Sequence, residues 1–223
     1  MKALLLGSIG VLAETSELQR RAYNTAFVAH GVDWHWNIAT YCQHLATPGG
    51  QNRLRKLSGD ALSTTEIRRI HETKQDAFAK SLAGGIAPRP GIVETLTAAR
   101  TAGLRIGLVT TTTQRTIAMI REALTGHIDM SDFAVITSKD DVVKEKPHGA
   151  CYELALSRLG IVSRDALAVR TLSPVSRLPS RRGSPQMLHW SVISRLPHST
   201  QARTLLATLY SSSVSGSINL SRF

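Results

Sequence analysis

The residues able to do chemistry in this chain gather at one loop and two isolated positions. The loop Gly7-Ser8-Ile9-Gly10 directly follows the apolar run Ala3 to Leu6. Thr110 opens a run of four threonines that closes the apolar segment Leu104 to Val109, and Lys146 precedes a segment whose Tyr152, Ala155 and Leu159 share a helical face. A strand-end hydroxyl, an ammonium and the backbone N–H groups of a glycine-containing loop make a cradle for a phosphate-like anion. Catalysis is harder to build from them. A hydroxyl attacks only when an adjacent base takes its proton, and neither Ser8 nor Thr110, the nearest nucleophiles, has an evident one. Taken singly, each residue has a plainer reading: Thr110 as a helix cap, Lys146 as a surface lysine and Gly49-Gly50 as a turn.

Positioning these residues requires a strand first. Residues 2–6 read as a short buried strand ending at Gly7. Residues 16–82 read as mostly helical: one helix opening at Ser16-Glu17 and running through Ala29, another from Trp36 to about Leu45, and a long one started by the capping signal Ser63-Thr64-Thr65-Glu66 and reaching about Leu82. Gly84-Gly85 and Pro88-Arg89-Pro90-Gly91 punctuate its end. Strand and helix then alternate: helix Ile92 to Ala102, strand Leu104 to Val109, a helix with Ile117, Ile120 and Leu124 on one face, strand Phe133 to Ile136, the Tyr152 helix closed by Gly160, and a fourth strand beginning at Ala166 to Val169. The pattern predicts an α/β protein, a doubly wound parallel sheet with a helical insert after its first strand.

Composition narrows the class. The chain has 223 residues, 42% of them apolar, enough for one core domain and a small cap. Cys42 and Cys151 fit no metal or redox spacing, so the expected compartment is a reducing cytoplasm. Met1-Lys2 and the apolar run to Ala13 have the outline of a short signal peptide, but a single lysine makes a poor n-region. No run approaches the roughly 18 apolar residues of a membrane span. The net charge of +11 is mostly local: residues 170–223 hold seven arginines and no Asp, Glu or Lys.

At this point the chain resembles a family, the haloacid dehalogenase (HAD) hydrolases of the CbbY and β-phosphoglucomutase type, over residues 2–169. Gly7-Ser8-Ile9-Gly10-Val11-Leu12 has the shape of that family's Asp-x-Asp-Gly-Thr/Val-Leu loop. Thr110 matches its phosphate-binding hydroxyl, Lys146-Pro147 its Lys-Pro, and Asp140-Asp141 the acidic turn before that lysine. Arg89-Pro90-Gly91 and Gly49-Gly50-Gln51-Asn52-Arg53 match its hinge and cap motifs, and Lys74 a cap lysine. The resemblance implies a HAD-type Rossmann-like core at residues 1–15 and 88–169, a helical cap at 16–87, phosphate contacts at Thr110 and Lys146, and cap contacts to substrate at Gly50, Arg53 and Lys74.

The departures fall on the chemistry. The family attacks a phosphoryl group with one aspartate, protonates the leaving oxygen with a second, and holds Mg²⁺ beside them. Gly7 stands at the nucleophile's position and Ile9 at the acid's. Arg170-Thr171 replaces the metal-binding acidic pair, leaving the Ile9 carbonyl as the one backbone remnant of the metal site. Gly149-Ala150 replaces a Pro-Asp and Gln19 a common histidine, while Glu14 and Glu17 keep acidic positions. The expectation is therefore no catalytic residue, no resident metal and no cofactor.

Residues 170–223 carry thirteen serines, four prolines and seven arginines with weak periodicity, and read as a basic tail that does not pack. Codons 170–185 read one nucleotide earlier, with synonymous codons chosen freely, can encode Glu-Asp-Thr-Leu-Ala-Ser-Val-Ser-Ala-Ala-Val-Ala-Ala-Gly-Ile-Pro, which looks like the family's continuation. The tail thus reads as out of frame and the sheet as incomplete on that side. Nucleic-acid binding through Trp190, Tyr210 and Phe223 is not expected, since they lack the spacing of a stacking module. The resulting expectation is a phosphatase- or phosphomutase-type protein for a small sugar phosphate, inactive in this chain. The alternatives are a phosphometabolite-binding or regulatory protein and a truncated product without function.

Overall fold

Four short apolar runs of strand length must each bury both faces, and they do so side by side. The structure is a computed structural model that describes residues 1–7, 9–146, 148–171 and 190–192. The described residues form two compact units, residues 1–14, 86–171 and 190–192 in one and residues 15–85 in the other.

The first unit is built on a sheet of order β3-β2-β1-β4-β5. Strands β1 (Ala3–Leu6), β2 (Arg105–Val109), β3 (Val135–Thr137) and β4 (Ala166–Thr171) are parallel. β1 is central, Leu6 lying in register with Leu108 on one side and Val169 on the other. All four β1 residues are buried, as a doubly covered strand requires. Helices α6 (Ile92–Thr101), α7 (Gln114–Ala123) and α8 (Ala150–Leu159) alternate with the strands, and a single-turn α1 (Ile9–Leu12) follows β1. Gly160 closes α8 in the left-handed conformation, as glycine does past a helix end.

Two features of this unit differ from the sequence expectation. The edge expected to be open at β4 is paired: β5 (Trp190–Val192) runs antiparallel against Val169–Thr171. Three residues of backbone suffice for such pairing and demand no apolar periodicity, so sequence pattern does not reveal it. The rest of the tail, with the out-of-frame reading that concerns it, lies outside the described residues. The cap of α7 is Thr113, whose side chain accepts from Thr116 N–H, so Thr110 is not the capping residue.

The second unit contains α2 (Ser16–Ala29), α3 (Ile38–His44), α4 (Gly50–Ser58) and α5 (Thr64–Leu82). Ser63 and Glu66 form a complete capping box at the start of α5. Its core joins Tyr23, Phe27, Trp36, Tyr41, Leu54, Ile67 and Ile70. Trp36 precedes α3 instead of opening it. Asn37 caps that helix by accepting from Thr40 N–H, while the Trp36 backbone is held outside it by Asn24, which accepts from its N–H and donates to its carbonyl, each at 2.9 Å. Cys42 and Cys151 form no disulfide. Among the described residues no helix is long and apolar enough to cross a membrane.

Candidate functional site

Parallel strands end on one edge, and loops leaving their carboxyl ends form the natural ligand crevice of an open α/β sheet. Gly7 ends β1 there and donates its N–H to the Val169 carbonyl at 2.6 Å. Thr110 follows β2 and is buried. Its N–H donates to Thr137 Oγ1, whose hydroxyl donates back to the Thr110 carbonyl, both at 3.1 Å, and its own Oγ1 accepts from Thr112 N–H. The Thr110 hydroxyl is thereby fixed between the two strand ends.

Lys146 is no surface lysine. Its ammonium donates to the carbonyls of Gly7 and Val109, bridging the ends of β1 and β2, and lies 4.9 Å from the centre of the Tyr152 ring. Burial pulls its pKa down to about 8, with the Cys151 side chain opposing that shift and the Arg170 charge adding to it. The segment leading to it is braced from below. Ser138 and Asp141 cap each other's backbone, Arg158 pairs with Asp141 at 2.5 Å, and Lys139 pairs with Glu145 at 3.2 Å. Asp141 is therefore spent on structure, its carboxyl held below the usual carboxylate range by the Ser138 and Arg158 hydrogen bonds.

The loop after β1 is fixed by Arg89. Its side chain donates to the Gly10 carbonyl and to Glu14, and its N–H donates to the Leu12 carbonyl at 2.8 Å. The hinge arginine and the retained acid thus form a clamp on α1.

The family resemblance implies a divalent cation, and the side chains present do not fit one. Gly7 offers no oxygen ligand besides its carbonyl, which already accepts from the Lys146 ammonium. Arg170, which the resemblance sets at the acid's position, brings its Cβ to 3.0 Å from where a Cβ on Gly7 would lie. Among the described residues no cluster of three His, Cys, Asp or Glu could hold a metal ion. Hard cations need several oxygen ligands, so no chemistry is routed through one here.

In the other unit, the expected substrate contacts are tied into the core. Arg53 is buried and donates to the His44 and Thr47 carbonyls, at 2.8 and 3.3 Å, and to the Tyr23 hydroxyl at 3.3 Å. Lys74, also buried, donates to the side-chain carbonyls of Gln19 and Gln75, with its ammonium 5.0 Å from the Tyr23 ring centre. Burial, and after it the Arg53 charge, pulls the Lys74 pKa down to about 7. Gly50 starts α4 where a Cβ would come within 2.7 Å of the Tyr23 hydroxyl and overlap the His71 ring.

Sequence reasoning missed Tyr152 as part of the site. It registered as one residue of an apolar helix face, yet its hydroxyl is buried beside Gly7 and is without a hydrogen-bond partner among the described residues. Burial pushes its phenol up to about 12. The available signal was indirect: a glycine where a larger residue is expected leaves a volume that some neighbour must fill.

A parallel sheet of this order, with a helical unit inserted in the chain after β1, defines a class, and comparison with known proteins gives the same one. A protein-family profile described as "Hydrolase: haloacid dehalogenase-like hydrolase" matches residues 1–169. The chain belongs to the haloacid dehalogenase-like hydrolase family. Within it, the chain is similar to CbbY of Cereibacter sphaeroides, 38% identical over 174 residues that cover 76% of this chain and 75% of that protein. The crystal structure of CbbY from Rhodobacter sphaeroides with phosphate matches at a TM-score of 0.68 and 37% identity, covering 75% of this chain and 76% of that one. An Asp-to-Asn mutant of the same protein, crystallised with xylulose-(1,5)bisphosphate, matches at a TM-score of 0.68 and 36% identity, covering 75% and 77%.

Proposed function

We propose that this protein binds a small phosphorylated metabolite of the sugar-phosphate type without hydrolysing it, a family fold retained as a binder. The carrying observation is the conjunction at the end of β1: Gly7 and Ile9 stand where the resemblance puts two catalytic aspartates, while Lys146 remains anchored on the carbonyls of Gly7 and of Val109, the residue before Thr110. A carboxylate nucleophile and a carboxylic acid are gone, and a cation and a hydroxyl remain. Removing negative charge from a phosphate crevice eases anion entry, and an ammonium in partly desolvated surroundings attracts an anion more strongly than one in water. CbbY, with which this chain shares its fold, has been crystallised with phosphate and with a sugar bisphosphate, which supports the ligand class.

Calorimetric titration tests this reading. The wild type is expected to bind orthophosphate or a pentose bisphosphate, and Lys146→Ala to weaken that binding by roughly tenfold or more, in keeping with about 1.5–3 kcal/mol for a hydrogen bond to a charged group. Equal affinity in the variant would remove Lys146 from the site.

A further inference from the structure

A glycine without room for a side chain and a hydroxyl without a partner lie against each other at the carboxyl end of β1. A Cβ built at Gly7 overlaps the Tyr152 hydroxyl and comes to 3.0 Å from both the Arg170 Cβ and the Val169 carbonyl oxygen. Tyr152 Oη is the one buried side-chain polar atom found without a hydrogen-bond partner among the described residues. A buried hydroxyl in that state carries a net cost, so packing and not hydrogen bonding must hold it there. The ring is seated in the cluster that contains Cys151, Ala155 and Val109, with the Lys146 ammonium over its face.

We propose that Tyr152 is a plug: its hydroxyl fills the volume of the side chain missing at position 7, so that any side chain placed there must displace it. Loss of chemistry at this site is then two-layered. The carboxylate is absent, and the space it would need is taken by a residue of α8. The functional consequence rests on the anion-binding reading above, but the closure itself stands on packing alone.

Thermal unfolding of Gly7→Ala, Tyr152→Phe and the double variant tests the plug, with orthophosphate titration of the wild type beside it. Tyr152→Phe is expected to raise Tm by roughly 2–4 °C, because it deletes an unsatisfied buried hydroxyl and keeps the ring. Gly7→Ala should lower Tm by about 6 °C in the wild-type background, the size of an overpacking defect, and by less than half as much once Tyr152→Phe is present. Should Gly7→Ala fail to fold alone yet fold in the double variant, the coupling is shown outright. A several-degree fall in Tm for Tyr152→Phe, an equal cost of Gly7→Ala in both backgrounds, or failure to fold in both, would overturn the plug. Absence of phosphate binding by the wild type would instead overturn the anion-binding reading, and the thermal cycle would still decide the plug.

Discussion

Restoring both aspartates, in the double variant Gly7→Asp and Ile9→Asp, is expected to leave Mg²⁺-dependent hydrolysis of p-nitrophenyl phosphate undetectable. Loss of a nucleophile from a concerted site costs about 10⁶ in kcat, and loss of general acid catalysis a further 10²–10⁴ or so. Reversion would ordinarily recover most of that. Here an Asp at position 7 must place its Cβ against the Tyr152 hydroxyl, the Arg170 Cβ and the Val169 carbonyl. Even if accommodated, its carboxylate would face the Lys146 ammonium and the Arg170 charge, which favour an ion pair over a metal complex. Turnover that rises with Mg²⁺ and survives repurification would show that the site keeps more of its chemistry than its side chains imply.

The largest stability effect is expected in the other unit, from Trp36→Ala. The Trp36 ring is buried with its centre 4.6 Å from that of Tyr23, 4.9 Å from Phe27 and 4.8 Å from His44. Its backbone is pinned by Asn24 and by Arg20, which donates to its carbonyl at 2.6 Å. Removing the ring leaves a cavity the anchored backbone cannot collapse, which costs about 3–5 kcal/mol. That is a large part of the 5–15 kcal/mol or so that stabilises an ordinary domain. Urea denaturation should show the loss, and Trp34→Ala, which removes a partly buried ring making one edge contact with Phe27, should cost clearly less.

Much of the fold was legible because its signals are local. The capping box at Ser63 and Glu66, the left-handed Gly160 and the buried run of β1 each follow from a few adjacent residues. The misses are non-local. Trp36 reads as helical from its neighbours, but Asn24, twelve residues away, takes up its backbone hydrogen bonds before the helix starts. Gly50 reads as part of a turn, yet it is the first residue of α4, at a place where the Tyr23 hydroxyl and His71 leave no room for a side chain. β5 has no pattern of its own and exists through pairing with β4. The site shows the same division. Gly7 and Ile9 stand where the resemblance expects carboxylates, and the same resemblance singles out Lys146. The anchoring of Lys146 on two strand-end carbonyls, and the approach of Tyr152 to Gly7, arise only when four segments meet.

The central claim is that phosphate is held here by the chain's own cation and hydroxyl, without metal and without turnover. The most direct test is one calorimetric titration of the wild type with orthophosphate, run in EDTA and in Mg²⁺, from about pH 7 to about pH 10. Lys146 titrates near 8 in the unliganded protein, and the ammonium is the form an anion prefers. Affinity should be full below that pH and fall as pH rises through it, approaching tenfold per pH unit, with the same values in EDTA and in Mg²⁺. Binding that appears only with Mg²⁺, or that is insensitive to pH across this range, would contradict the account.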